Sequence, residues 1–220
     1  MSWPAISASA LRAVLALSLG AVGGCSGKPA PLPTGVVAAA RVPEADWRRV
    51  VTGGDRQRLR NWRQSWLAAT AAARGADDGA QARDPALFAP DRALPDAVPP
   101  AGNYTCRVVK LGARDPAMRP FTSYPPYTCR VMGDGDVIGF EKLGGSQRHV
   151  GRIFRDGAGR GIFLGTMMLG DEAHALSYGR DLRRDLAGFV ERIGPRRWRI
   201  ALPEPRFESR LDLIELVPAA

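Results

Sequence analysis

The sequence predicts a mainly β protein with an N-terminal helical segment, and it favours an eight-stranded antiparallel up-and-down barrel over a β-sandwich, which is the alternative. Three observations support this fold class. From Asn103 onward, short segments rich in β-branched and aromatic residues follow one another. Tight-turn signals such as Asp134-Gly135, Asp156-Gly157 and Gly194-Pro195 separate several of them. No helical crossover intervenes, and closure into a barrel removes exposed sheet edges.

The β domain is expected over residues 103–218. Its eight predicted strands are 104–111, 127–132, 137–143, 150–154, 161–169, 186–193, 197–202 and 209–216. Several of them alternate visibly. Trp198, Ile200 and Leu202 point to one face of their strand, whereas Arg197 and Arg199 point to the other.

A helical segment and a proline-rich wrap are expected over residues 44–102. Apolar residues recur between 59 and 70 at spacings of three and four, with Asp55 as the candidate N-cap and Gly75 as the end of the helix. Trp62 and Trp66 in this stripe favour packing on a core, and a membrane-surface or ligand stripe is the alternative. Residues 76–102 are rich in Asp, Ala and Pro, which predicts an irregular wrap. The helical segment is expected to pack outside the barrel or across one end.

Residues 1–24 have the pattern of a signal peptide: Arg12, an apolar run over residues 13–22, and small residues before Cys25. The run is shorter than the roughly 20 apolar residues of a transmembrane helix. Val22-Gly23-Gly24-Cys25 resembles a lipobox, so we expect lipidation of Cys25 and a flexible tether over residues 25–43. The alternative is a soluble periplasmic protein. Ser26 favours the periplasmic face of the outer membrane in a Gram-negative host.

Lipidation of Cys25 leaves two cysteines, Cys106 and Cys129, in an oxidising compartment. They lie in identical pentapeptides, Tyr-Thr-Cys-Arg-Val, each of which reads as a strand. Neighbouring strands would bring them together, so we predict a structural disulfide. A metal site or a redox dithiol is disfavoured, because there is neither a nearby histidine nor a Cys-x-x-Cys spacing.

The chain carries a net charge of +9, and 28 of its 31 basic residues are arginine. The arginines are spread along the chain without interleaved aromatic residues, which argues against nucleic acid as a partner. Attraction to anionic lipid head groups or cell-wall polymers is the favoured use of this charge. The expected partners are the membrane, through the lipid anchor, and an envelope ligand or protein.

Several segments resemble an uncharacterised family of Gram-negative envelope proteins that is known as a domain of unknown function. They are residues 103–111, 142–148, 163–166, 170–172, 178–185, 197–199 and 211–218. The resemblance covers about residues 44–218 and implies no activity. At the level of architecture alone, a disulfide-bearing envelope barrel is similar to calycins and to periplasmic inhibitors of secreted metalloproteases.

Polar residues concentrate in the connection between the fifth and sixth predicted strands, where a binding site at a barrel mouth would form. The candidate binding residues are Arg148, Asp171, Glu172, Tyr178, Asp181, Arg184 and Asp185. Asp181 and Asp185, four residues apart, also raise the alternative of an envelope glycan hydrolase. We expect a non-catalytic binding or interaction barrel with no catalytic residue, metal or cofactor assigned. A purely structural or assembly role is the third possibility.

Overall fold

The computed structural model describes residues 46–133 and 135–220. The predicted signal peptide, Cys25 and the tether lie outside the described residues. The strands of the described part are β1 (Gly102–Ala113), β2 (Phe121–Ser123), β3 (Tyr127–Met132), β4 (Val137–Lys142), β5 (Gln147–Arg155), β6 (Gly161–Leu169), β7 (Asp185–Gly194), β8 (Arg197–Pro203) and β9 (Ser209–Pro218).

These strands form a closed antiparallel barrel, which confirms the predicted fold class. Each strand from β3 to β8 pairs with the next one along the chain, and β9 pairs back with β1 from Tyr104 opposite Pro218 to Ala113 opposite Ser209. Because the sheet closes on itself, the sandwich alternative does not apply.

The short strand β2 is the one that the sequence did not predict. β2 and β3 lie end to end beside β1, with Val109 opposite Ser123 and Cys106 opposite Tyr127. Three residues on their side therefore face two on β1, which is a bulge. Pro125 lies in that bulge, where a missing backbone N–H is tolerated. β2 and β3 together occupy one of the eight strand positions around the barrel.

Side chains fill the barrel interior. Inward-facing residues from successive strands, among them Phe140, Phe163 and Ile200, form one buried cluster. Gly151 and Gly165 face each other across β5 and β6. A Cβ at either position would lie less than 3 Å from the ring of Phe163, so these glycines make room for that ring.

The proline-rich wrap covers one end of the barrel. Val98 joins the interior cluster, and the indole N–H of Trp198 and the hydroxyl of Tyr104 donate hydrogen bonds to the carbonyl oxygens of Asp96 and Pro100. The strands turn at the opposite end through the loops 114–120, 143–146, 170–184 and 204–208. That opposite end is called the mouth below.

The helices of the described part are α1 (Trp47–Val50), α2 (Gly53–Arg60), α3 (Trp62–Ala73), α4 (Ala80–Arg83) and α5 (Pro85–Phe88). They pack outside the barrel wall, as expected. Trp66 on α3 is buried with Val109, Leu211 and Leu213 on the outer face of β1 and β9. None of the helices in this part is long and apolar enough to cross a bilayer.

The predicted N-cap at Asp55 is wrong. The backbone N–H of Asp55 donates to the hydroxyl of Thr52, which caps α2, and the helical run breaks at Asn61 before α3 begins. Asp55 itself is buried and pairs with Arg58 and Tyr178. Its side chain therefore ties the helices to the barrel loops.

The disulfide between Cys106 and Cys129 is confirmed. In the register of β1 and β3, Cys106 faces Tyr127 and Cys129 faces Tyr104, so the two cysteines are diagonal neighbours with Cα atoms 5.8 Å apart. Both are fully buried in the interior cluster. The bond links the neighbouring strands β1 and β3 from inside the barrel.

Candidate functional site

A cavity of about 90 Å³ opens at the mouth of the barrel. Its walls come from β1, the β2–β3 bulge, β4, β5 and two mouth loops. The lining residues are Val108, Lys110, Tyr124, Tyr127, Lys142, Gly145, Ser146, Gln147, His149 and Glu208. Two amines and an imidazole thus converge at the mouth of a barrel whose interior is mostly filled by apolar side chains.

Lys110 continues the inward row of Tyr104, Cys106 and Val108 on β1, because alternate residues of a strand share one face. It is 6% exposed. Its Nζ donates to Oδ2 of Asp212 at 2.9 Å and lies 3.5 Å from Oε2 of Glu208.

Burial lowers the pKa of Lys110, but the carboxylates of Asp212 and Glu208 outweigh burial and hold that pKa above its ordinary value. Lys110 therefore stays protonated, and the two carboxylates offset its positive charge.

Lys142, at the end of β4, has a different environment although it lines the same cavity. It is 4% exposed, and its Nζ donates to the carbonyl oxygens of Gly144 and Gln147. The same Nζ lies 3.7 Å from the ring centroid of Tyr127. Among the described residues, no carboxylate lies within ion-pair distance of it.

Burial, reinforced by the positive charges of Arg148 and Lys110, lowers the pKa of Lys142 to about 8. This amine is therefore a buried cation without a counter-charge at neutral pH, and it loses its proton under mildly basic conditions.

The turn between β4 and β5 holds Lys142 in place through two glycines. Gly145 has a positive φ of 81°, which glycine adopts without strain. A Cβ at Gly145 would lie 2.9 Å from Nζ of Lys142, and one at Gly144 would lie 3.2 Å from the ring of Tyr127. The chain therefore passes close over both side chains and forms one wall of the cavity.

His149 on β5 is the third polar group that faces this interior. It is 1% exposed, and neither ring nitrogen has a hydrogen-bond partner among the described residues. Burial, with a smaller effect from Lys110 and Lys142, lowers the pKa of His149 to about 3. The imidazole is therefore neutral at physiological pH and adds no charge to the cavity.

A shallower groove of about 200 Å³ shares Lys110, Tyr124 and Glu208 with the cavity. It extends toward the surface past Met118 and Arg119, and Met118 is exposed. Together they form a small polar cavity that opens into a wider groove lined by polar and apolar residues.

The predicted site residues fall into two groups in the structure, and none of them lines the cavity. Arg148 donates to the carbonyl oxygens of Leu169 and Glu172, and Arg184 pairs with Glu172 and Asp181. The hydrogen bond from Arg184 holds the pKa of Glu172 below its ordinary value. These contacts fold the 170–184 loop at the mouth; Asp171 is exposed in the same loop.

The second group lies on the outer face of the barrel. The hydroxyl of Tyr178 donates to Oδ2 of Asp55 at 2.6 Å, and the backbone N–H of Gly179 donates to Oδ1 of Asp185 at 3.0 Å. Asp185 is 1% exposed, and its Oδ2 has no partner among the described residues. Asp181 and Asp185 therefore face different surroundings, one half-buried beside Arg184 and the other buried beside the helices.

Lys110, Lys142 and His149 were not predicted as a set from the sequence. Each continues an inward-facing row on its own strand, and that alternation was the available signal for the direction of each side chain. Their meeting depends on barrel closure and strand stagger, which local spacing does not reveal. In the described part of the chain, no group of three or more His, Cys, Asp and Glu residues is placed to hold a metal ion.

Comparisons with known proteins give the family of the chain. No curated protein and no solved structure matches it. The family model described as Domain of unknown function (DUF4893) matches residues 47–216, which include α1 to α5, β1 to β8 and most of β9. The chain belongs to the DUF4893 family.

Proposed function

We propose that this chain is a lipid-anchored envelope protein whose barrel binds a small acidic ligand, or the acidic group of a larger one, at its mouth. The observation that carries the binding role is Lys142, a buried ammonium without a carboxylate partner among the described residues. Burial of an ion costs several kcal/mol unless it is paired. A ligand carboxylate or phosphate offsets that cost.

The dimensions of the cavity limit what enters it. Since an engineered cavity of about 150 Å³ holds one benzene molecule, a cavity of about 90 Å³ holds a smaller molecule, such as one acid group with one or two carbons. The rest of a larger ligand would lie in the groove past Met118. A long acyl chain has no room inside the barrel, because apolar side chains fill the interior.

The disulfide supports the envelope location, because structural disulfides persist in oxidising compartments. The lipid anchor is a separate proposal, since Cys25 lies outside the described residues. Mass spectrometry of the mature N-terminus tests it: we expect a diacylglyceryl modification on Cys25, and none on a Cys25→Ala variant. An unmodified, cleaved N-terminus elsewhere would favour the soluble periplasmic alternative.

Titration of the full chain, purified in detergent, tests the binding role. We expect acetate and inorganic phosphate to bind and to raise Tm. Lys142→Met should weaken binding at least tenfold, whereas Arg196→Met, an exposed position at the opposite end of the barrel, should leave it unchanged. Glu208→Gln should strengthen binding, since it removes a negative charge 3.5 Å from Lys110. Absence of binding, or equal effects of the Lys142 and Arg196 variants, would refute the proposal.

The glycan hydrolase alternative stays a prediction and gains no support from the placement of its carboxylates. Asp185 is almost fully buried, and Asp181 is engaged with Arg184. Turnover of muropeptides that is lost in Asp181→Asn would revive it.

A further inference from the structure

The distribution of lysine in this chain is unusual. Of 31 basic residues only three are lysine, Lys28, Lys110 and Lys142. The two in the described part of the chain are both buried, and both line the mouth cavity. Every other basic side chain there, on surfaces and in buried ion pairs alike, is arginine. A guanidinium stays protonated in proteins, whereas a buried amine loses its proton readily and then acts as a nucleophile.

One of the two lysines is held as a cation, and the other can become the neutral amine that acts as a nucleophile. Lys110 is held as a cation by Asp212 and Glu208. Lys142 has only carbonyl oxygens and the face of Tyr127 around its Nζ. Two N–H bonds satisfy the two carbonyls, which leaves the lone pair of the neutral amine without a partner. The depressed pKa of Lys142, about 8, supplies that neutral form in a useful fraction.

We propose that Lys142 captures a small aldehyde or ketone that carries an acidic group, as a reversible imine in the mouth cavity. This inference rests on the proposed binding of acids in the same cavity. Nζ attacks the carbonyl carbon, and the carbonyl oxygen takes up a proton to give a carbinolamine. Loss of that oxygen as water leaves a C=N bond to Lys142. One water is released, nothing is oxidised or reduced, and hydrolysis reverses the reaction.

The neighbours of Lys142 account for the acidic group. The imine takes up a proton and then leaves a positive charge at Lys142 that no carboxylate of the described residues pairs, so a carboxylate on the ligand offsets it, whereas Lys110 is already compensated by Asp212 and Glu208. His149 is neutral, so the cavity holds no third positive charge that would draw the acid group of the ligand away from Lys142. The volume of about 90 Å³ restricts the ligand to an oxo acid of about two or three carbons.

Reductive trapping with glyoxylate and sodium cyanoborohydride tests the inference on the full chain in detergent. Trapping converts the imine to Nε-carboxymethyl-lysine, and peptide mass spectrometry reads the modification at each of the three lysines. We expect Lys142 to react at least tenfold faster than Lys28 and Lys110. The preference should vanish in urea, and propanal, which lacks the acid group, should react more slowly at Lys142 than glyoxylate does.

Two variants complete the test. Lys142→Arg keeps the charge and cannot form an imine, so it should still bind acetate while trapping at this position disappears. Arg196→Met should trap as the wild type does. Equal or slower modification of Lys142 relative to Lys28 in the native protein would overturn the inference. If acetate still binds in that case, the proposed acid-binding function stands alone. If Lys142 is trapped selectively but acetate and phosphate do not bind, the acid-binding function fails instead.

Discussion

At the scale of single residues, the buried imidazole of His149 should cost stability. Its two ring nitrogens have no partner among the described residues. A buried polar group that loses its hydrogen bonds costs about 1–3 kcal/mol. We expect His149→Leu to raise the free energy of unfolding by about that amount at pH 7.

The pH dependence of this effect follows from the lowered pKa of His149, about 3 against 6.5 in an unfolded chain. As the pH falls through 6.5, the unfolded state takes up a proton that the folded state refuses, so wild-type stability decreases between pH 6.5 and 3. The advantage of His149→Leu should therefore grow in urea unfolding at pH 5 and 4. His174→Gln, at an exposed position, is the control. Parallel stability curves for wild type and His149→Leu would contradict the assignment.

Asp185 gives a second prediction, with the opposite sign. Burial and the neighbouring Asp55 raise the pKa of Asp185 above 3.8, against the opposing effects of Gly179 and Arg58. The folded state therefore favours the protonated acid, and the stability that it adds at low pH is lost as the pH rises through the raised value. Asn carries no charge, so Asp185→Asn should be more stable than the wild type at pH 7, because the ionised carboxylate that burial disfavours is absent.

Chemical denaturation at pH 7 and at pH 3 measures this gain, which should shrink at the lower pH. The control is Asp171→Asn, at an exposed position of the neighbouring loop, where we expect a change within about 0.5 kcal/mol. A larger loss of stability in Asp185→Asn than in Asp171→Asn would show that the ionised carboxylate of Asp185 is needed.

At the scale of elements, the disulfide between β1 and β3 should be a main source of stability. It closes a loop with a sequence separation of 23 residues, which corresponds to about 3 kcal/mol in the chain-entropy model. The double variant Cys106→Ala/Cys129→Ala should therefore unfold at a Tm about 6–12 °C lower, by the usual scaling for domains of this size.

A reductant provides the matched comparison for the disulfide variant. Dithiothreitol should lower the Tm of the wild type to a similar extent and leave the Tm of the double variant unchanged. A drop in the Tm of the double variant with reductant would mean that the loss arises elsewhere in the molecule.

The strands show how far the sequence predicts elements. Alternation and hairpin turns located eight strands, each close to its observed bounds. β2 escaped because three residues before Pro125 are too few to show alternation, and its role depends on pairing with β1. The helix was placed from Asp55, whereas the Thr-x-x-Asp pattern at Thr52, which resembles a capping box, marks the true start. Residue types along the chain therefore predicted turns and alternating strands, whereas pairing between segments that are distant in sequence could not be predicted from them.

The candidate site illustrates the same limit. Residues 171–185 were favoured as a site because their charges lie close together along the chain. In the structure many of those charges satisfy one another within their own loop or against the helices. The cavity instead joins Lys110, Lys142 and His149, which are up to 39 positions apart in the printed sequence. Charges that cluster along the chain therefore pointed to groups that neutralise each other in the fold. Lys142, whose charge stays uncompensated among the described residues, has no such cluster around it in the sequence.

At the scale of the whole molecule, closure of the barrel depends on β9. It pairs with β8 on one side and β1 on the other, and it buries Leu211, Leu213, Ile214 and Leu216. Burial of one such side chain contributes about 1.5–3 kcal/mol, so the four together contribute about 6–12 kcal/mol. That sum is comparable to the whole stability of a domain, about 5–15 kcal/mol.

Deletion of residues 209–220 should therefore abolish cooperative unfolding and, because it exposes the edges of β1 and β8, cause aggregation. Deletion of Ala219 and Ala220 alone is the control: it removes the hydrogen bond from the N–H of Ala219 to the carbonyl of Asn103 and should leave a cooperative transition. Thermal denaturation followed by circular dichroism distinguishes the two. A cooperative melt after removal of β9 would mean that the remaining strands are stable as an open sheet, without closure between β9 and β1.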